Sequence, residues 1–168
     1  IFIGEMRDRE TMLAAIQSAE TGHLVLGSLH CSDAQQTFSR ILEFFPRTEH
    51  AFIRSSLANS LTAIMCQRLL PGIDQTKRFP ATEVLLNNSV VKDKILHEED
   101  QDMPAIITQC FEEGMRSFTV SLAEFIEKEL VHYDTAMEYA PSREALASSV
   151  KGIKTSAQSL VGRVRGRG

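Results

Sequence analysis

The 168 residues are 43% apolar with a formal charge of −4, which suits one globular core of ordinary size, with room for a small appendage. No window approaches the roughly 18 consecutive apolar residues of a spanning helix, and no basic n-region with a cleavage site opens the chain, so the expected location is the cytoplasm. Cys31, Cys66 and Cys110 form neither a disulfide framework nor a zinc spacing, and no metal site is expected from them. Charge is unevenly placed: Lys151, Lys154, Arg163, Arg165 and Arg167 stand without an acid in 150–168, leaving 13 basic against 22 acidic residues before them. That Gly-Arg-rich end lacks interleaved aromatics and reads as a disordered, solubilising terminus, not as a nucleic-acid binder.

The chain opens on Ile1-Phe2-Ile3-Gly4-Glu5-Met6-Arg7-Asp8, an apolar run that breaks on a glycine and hands over to charge. Such a run reads as a buried strand, and it places Glu5 on the rim of a parallel sheet, where α/β proteins bind ligands. Spacing alone leaves a second reading open, a solvated acid at an ordinary strand exit. Because a buried strand needs neighbours on both sides, a chain starting inside one is expected to be a fragment with its N-terminal partners missing. Asp8 is placed to cap a helix to about Ala19, with Met12, Ala15, Ile16 and Ala19 at helical spacing, and this helix is expected to pack on the sheet. Gly22 ends it, and His23–Leu29 reads as a second strand, so strand, helix and strand form a right-handed βαβ unit.

Ser32 with Gln35 forms a capping box for a helix to about Phe45, whose buried stripe is Phe38, Ile41, Leu42 and Phe45. Pro46 stops it, and a third helix from about Thr48 sets Ile53, Leu57, Leu61 and Ile64 in register. Strand signals over Ala63–Leu70, a Pro71-Gly72 turn and Ala81–Leu86 predict an antiparallel hairpin. From Asn88 the period is helical: Ser89–His97, Met103–Glu113, Ser117–Leu130, Asp134–Tyr139 and Ser142–Val150 are expected to pack as a bundle.

Two stretches carry chemistry. Beside Glu5 stands Thr21-Gly22-His23-Leu24-Val25-Leu26-Gly27-Ser28-Leu29-His30, in which a histidine at a strand's carboxyl end is able to donate to a phosphate. Seven extended residues span roughly 23 Å, too far for His23 and His30 to share a metal. Taken alone, each histidine reads as structural.

Together these stretches resemble the secretion and type IV pilus ATPases: Gly4-Glu5-Met6-Arg7-Asp8 is similar to the end of their Walker B segment, and Thr21–His30 to their histidine box. Arg9-Glu10-Thr11, Arg40-Ile41, Phe45-Pro46, Gln67-Arg68-Leu69 and Gly114-Met115 agree in order and spacing, so the likeness spans about residues 1–152. Phe45-Pro46, with no paired cysteines downstream, resembles the pilus-retraction branch, PilT-like or PilU-like. Departures are Ser28 and Cys31, where the family most often has threonine, and Lys92 and Asp93 within Val90–Ile95, where the retraction branch has Ala-Ile-Arg-Asn-Leu-Ile; lysine lacks the bidentate fork of arginine.

The resemblance implies an α/β fold: the C-terminal part of a RecA-like P-loop ATPase core over 1–87, a βαβ unit plus an antiparallel hairpin. A small helical bundle would follow over 88–152 and a basic tail over 153–168. It implies a homo-hexameric motor coupling ATP hydrolysis to pilus retraction and twitching motility, with ATP and Mg²⁺ as cofactors. The partner would be the pilus platform protein, at the cytoplasmic face of the inner membrane. By it Glu5 is the catalytic carboxylate, His30 and His23 sense the phosphate, and Gly4, Arg7 and Asp8 support Glu5. No Gly-x-x-x-x-Gly-Lys-[Ser/Thr] occurs in the 168 residues, so nothing in them cradles the β and γ phosphates, and the chain alone is expected to be inert. The alternatives are an assembly or secretion ATPase of the same superfamily and a non-catalytic interaction module.

Overall fold

Helix α1 (Arg9–Glu20) follows β1 (Phe2–Ile3) because Asp8 supplies an extended N-cap whose carboxylate accepts from the Thr11 amide at 2.8 Å. The computed structural model describes residues 1–152; the basic tail expected over 153–168 lies outside the described residues. Gly22, at φ +91°, turns the chain beyond α1 in the left-handed region that glycine takes without strain. β2 (Leu26–Gly27) then runs parallel to β1, with Phe2 opposite Leu26 and Ile3 opposite Gly27. The βαβ order is as expected, but the expected burial is not found: Phe2 is 80% exposed, Leu24 71% and Leu26 52%. Among the described residues β1 and β2 pair only with each other, so neither has the second neighbour that buries a central parallel strand. For the same reason the ladder of β2 covers two residues where His23–Leu29 was read as strand. Met12, Ala15 and Ile16 are buried as their spacing predicts, and α1 packs on α3.

Helix α2 (Ala34–Leu42) starts one residue later than the capping-box reading. Asp33, not Ser32, is its N-cap, accepting from the Gln36 amide at 2.8 Å, while the Ser32 hydroxyl donates to the Asp33 carboxylate. Aspartate caps at least as well as serine and adds a negative charge at the positive end of the helix. Phe38, Ile41, Leu42 and Phe45 are all buried. Pro46 leads through a 3-10 turn (Arg47–Glu49) into α3 (His50–Ser60), whose last turn gives way to β3 (Ala63–Pro71), so Ile64 is a strand residue. β4 (Arg78–Leu86) returns antiparallel in the hairpin. α4 (Ser89–Leu96), α5 (Met103–Gln109), α6 (Phe118–Glu127) and α7 (Tyr133–Tyr139) follow, and residues 143–152 are helical.

The helical period sets in after Asn87, and the described residues form two compact units. One unit comprises 1–66 and 83–115, the other 67–82 and the described residues from Arg116 onward. In the first, α3 packs on α1 and α4, and α5 on α2 and α4. Arg54 of α3 is buried and forked onto Asp100 at 2.8 and 2.6 Å, and it also donates to the Ile95 carbonyl at the end of α4. The Cys66 thiol of β3 is buried, and that burial, with the Glu83 carboxylate nearby, pushes it up to about 12. In the second unit α6 packs on α7, and Phe118 and Leu122 are fully buried. The Arg68 guanidinium lies 4.2 Å over the Phe118 ring and donates to the Tyr139 carbonyl at 2.7 Å, which holds β3, α6 and α7 together. No helix among the described residues is long and apolar enough to cross a membrane.

Candidate functional site

Parallel pairing of β1 with β2 sends both chains out at the same end, which puts Glu5 beside His30 although 25 residues separate them in sequence. Glu5 Oε1 lies 3.0 Å from His30 Nε2, and Arg7 donates to Glu5 Oε2 at 2.5 Å. Both carboxylate oxygens are therefore engaged. The Arg7 guanidinium first, and the facing imidazole after it, hold the Glu5 carboxyl below its ordinary value of 4.5, so it is an anion at neutral pH. Glu5 is 27% exposed, whereas the His30 and Arg7 side chains are 86% and 76% exposed. The two donors are thus on the solvent side of the acid, where an incoming anion would meet them.

The main chain beside Glu5 is held by Ser28, the residue after β2. The Met6 amide donates to the Ser28 carbonyl at 3.0 Å, and the Ser28 hydroxyl donates to the Gly4 carbonyl. A Cβ on Gly27 would come within 2.8 Å of Met6 Cε, the flexible end of a side chain that lies against the strand there. Gly4 meets no such limit: a Cβ there would touch nothing. Asp8 is occupied at α1, where Thr11 donates to it from both amide and hydroxyl and holds its carboxyl below the ordinary value of 3.8.

Of the residues singled out in the sequence, Glu5, Arg7 and His30 come together; Asp8 anchors the next helix; His23 stands apart. His23 Nδ1 lies 3.2 Å from both the Ser18 carbonyl and the Thr21 hydroxyl, at the end of α1. Beyond His30 a polar groove of about 220 Å³ is lined by His30, Cys31, Gln36, Ser39, Arg40 and Glu43. Arg40 is paired with Glu43 at 2.6 Å and lies over the Phe44 ring. One residue the sequence reading passed over is Glu83. Its buried carboxylate accepts from the Ala34 amide at 2.9 Å, in the first turn of α2. The signal was present: 81, 83 and 85 alternate inward on β4, and an acid in that row needs a partner.

The fold that carries this acid and histidine is similar to that of a solved pilus motor. The crystal structure described as the pilus retraction motor PilT and bound ADP is matched with a TM-score of 0.77 and 34% identity, over 88% of this chain and 41% of that one. The Type II/IV secretion system protein family matches residues 1–159, and the chain belongs to that family as a PilT-like member of the secretion ATPase superfamily. The type IV pilus ATPase PilU of Pseudomonas aeruginosa is 36% identical over 151 residues, 90% of this chain and 40% of its own length. A twitching motility protein of Neisseria gonorrhoeae is 35% identical over 147 residues, 88% of this chain and 39% of its own length. The chain thus spans about two fifths of the length of these two curated relatives.

Proposed function

We propose that this chain supplies the water-activating side of a hexameric motor ATPase subunit that drives type IV pilus retraction. The observation that carries the reading is the 3.0 Å approach of Glu5 to His30, which joins the two motifs at one strand end. In it Glu5 orients and polarises the attacking water, Arg7 keeps Glu5 an anion until the phosphate arrives, and His30 exchanges its carboxylate partner for the terminal phosphate. Asp8 fixes the loop to α1, and His23, engaged at the far end of that helix, stays outside the chemistry. Two exposed donors that here share one carboxylate are suited to a phosphate, so the residues present fit Mg-ATP on the γ-phosphate side. When bound, Mg-ATP would supply the phosphoanhydride; these 168 residues contain no Gly-x-x-x-x-Gly-Lys-[Ser/Thr] to cradle its phosphates. The helical part over 88–152 passes the nucleotide-dependent movement to neighbouring subunits and to the pilus platform at the inner membrane's cytoplasmic face. Retraction is favoured over assembly or secretion by Phe45-Pro46 and by the PilU and PilT likenesses.

The test is Glu5→Gln in the subunit that carries this chain together with a phosphate-binding loop. The amide keeps the shape but is a far poorer base, so turnover is expected to collapse to a small residual rate while Mg-ATP still binds. Turnover surviving within about threefold would remove Glu5 from the catalytic role.

A further inference from the structure

We infer that Ser28 is the positioning residue that fixes where the Glu5 carboxylate sits. This rests on Glu5 being the water-activating acid. The pairing of β1 with β2 ends at Ile3 and Gly27, one residue short of the segment that matters. From there the hold on Gly4-Glu5-Met6 passes to Ser28, which grips it on both sides of Glu5: its hydroxyl takes the Gly4 carbonyl and its carbonyl takes the Met6 amide. The side-chain partners of Glu5 are unsuited to that task, because both are largely exposed and both are the groups an anion would draw away. A carboxylate whose partners leave during the cycle keeps its place only through its own backbone. Gly4 has no side chain to pack, and a Cβ there would touch nothing, so the hydroxyl of Ser28 takes the place of packing at that peptide. The required chemistry is a short donor on the strand partner. Threonine offers the same hydroxyl, alanine offers nothing, and cysteine offers only a weak, longer S–H.

The experiment compares Ser28→Ala, Ser28→Cys and Ser28→Thr in the ATP-hydrolysing subunit. The first two are expected to lower kcat by about ten- to a hundredfold with KM for ATP within about twofold, since a misplaced catalytic group costs rate without costing affinity. Ser28→Thr is expected to stay within about threefold of the parent. On the Glu5→Gln background Ser28→Ala should lower the residual rate no further, because a group acting only through Glu5 has nothing left to act on. In the 168-residue chain itself, the Met6 amide should exchange faster in Ser28→Ala and at the parental rate in Ser28→Thr. If Glu5→Gln is inactive yet Ser28→Ala and Ser28→Cys turn over like the parent, the positioning role is wrong while the reading of Glu5 stands. A loss appearing in KM, or one additive with Glu5→Gln, also overturns it. If Glu5→Gln itself turns over, the catalytic reading fails first and Ser28 has nothing to position.

Discussion

Removing the Glu83 carboxylate should loosen the start of α2, four residues beyond His30. Glu83 is 7% exposed and its Oε1 accepts from the amide of Ala34, which is fully buried. Glu83→Ala deletes a charge-assisted hydrogen bond of about 1.5–3 kcal/mol and leaves that amide with one acceptor fewer in a place water does not reach. It also takes an anion from the positive end of a helix, up to about 2 kcal/mol in a buried setting. Part of the gain is offset by the cost of burying the carboxylate, so about 2–3 kcal/mol is expected to be lost. Glu83→Gln keeps an acceptor and gives up the charge, which should cost about half as much. Urea unfolding of the 168-residue chain at neutral pH, followed by helix signal, reads the size of the change, and hydrogen exchange at the Ala34 amide reads its location. Glu83→Ala within about 0.5 kcal/mol of the parent, with Ala34 exchange unchanged, would refute the capping role.

Asp100→Ala leaves the Arg54 guanidinium buried without its forked partner and should cost about 3–5 kcal/mol; Arg54→Met with Asp100→Leu should recover most of it, and a denaturant-melt cycle measures both. Thr11 on Asp8, Thr76 on Asp74 and Arg7 on Glu5 hold these carboxyls below their ordinary values of 3.8, 3.8 and 4.5. The unfolded chain therefore takes up their protons first, and the stability they contribute is complete above about pH 5 and lost as pH falls through the folded values. Asp8→Asn, which caps as well but does not titrate, should flatten the fall of the urea midpoint below about pH 4; an unchanged slope would count against it. If the proposed motor function holds, His30→Ala in the subunit that carries this chain should cut turnover by roughly 10- to 100-fold at an unchanged melting temperature, because the ring is largely exposed; a lower melting temperature with normal specific activity would make His30 structural.

The motif positions were legible because strand ends can be read from where apolar residues stop: Glu5 and His30 each follow such a run. Their contact was not legible, since it depends on Phe2 lying opposite Leu26, a register that a one-residue slip would destroy. Helix faces were readable from period alone, as Phe38, Ile41, Leu42 and Phe45 demonstrate, and Asp8 was readable as a cap. Asp33 was missed because Ser32 and Gln35 offered an equally good local pattern, and only the backbone decides between adjacent caps. Ile64 satisfied the helical spacing of α3 and the alternation of β3 at once, and Leu61, extended at the end of α3, resolved it. The roles of Ser28 and Glu83 escaped for a common reason: the side chain of each holds a main-chain group far away in sequence, which leaves no periodic trace.

Cys66 makes the hairpin its own clock. Burial pushes its thiol well above the ordinary thiol range, so the reactive thiolate is scarce at pH 8, and the sulfur is shielded from reagent besides. A maleimide can therefore alkylate it at an ordinary rate only after the base of the hairpin has opened and the thiol has returned to its solvent value. The alkylation rate at saturating reagent is then the opening rate, and at limiting reagent it gives the fraction of time spent open. The same sulfur that is inert in the closed strand thus times its breathing, with no label introduced.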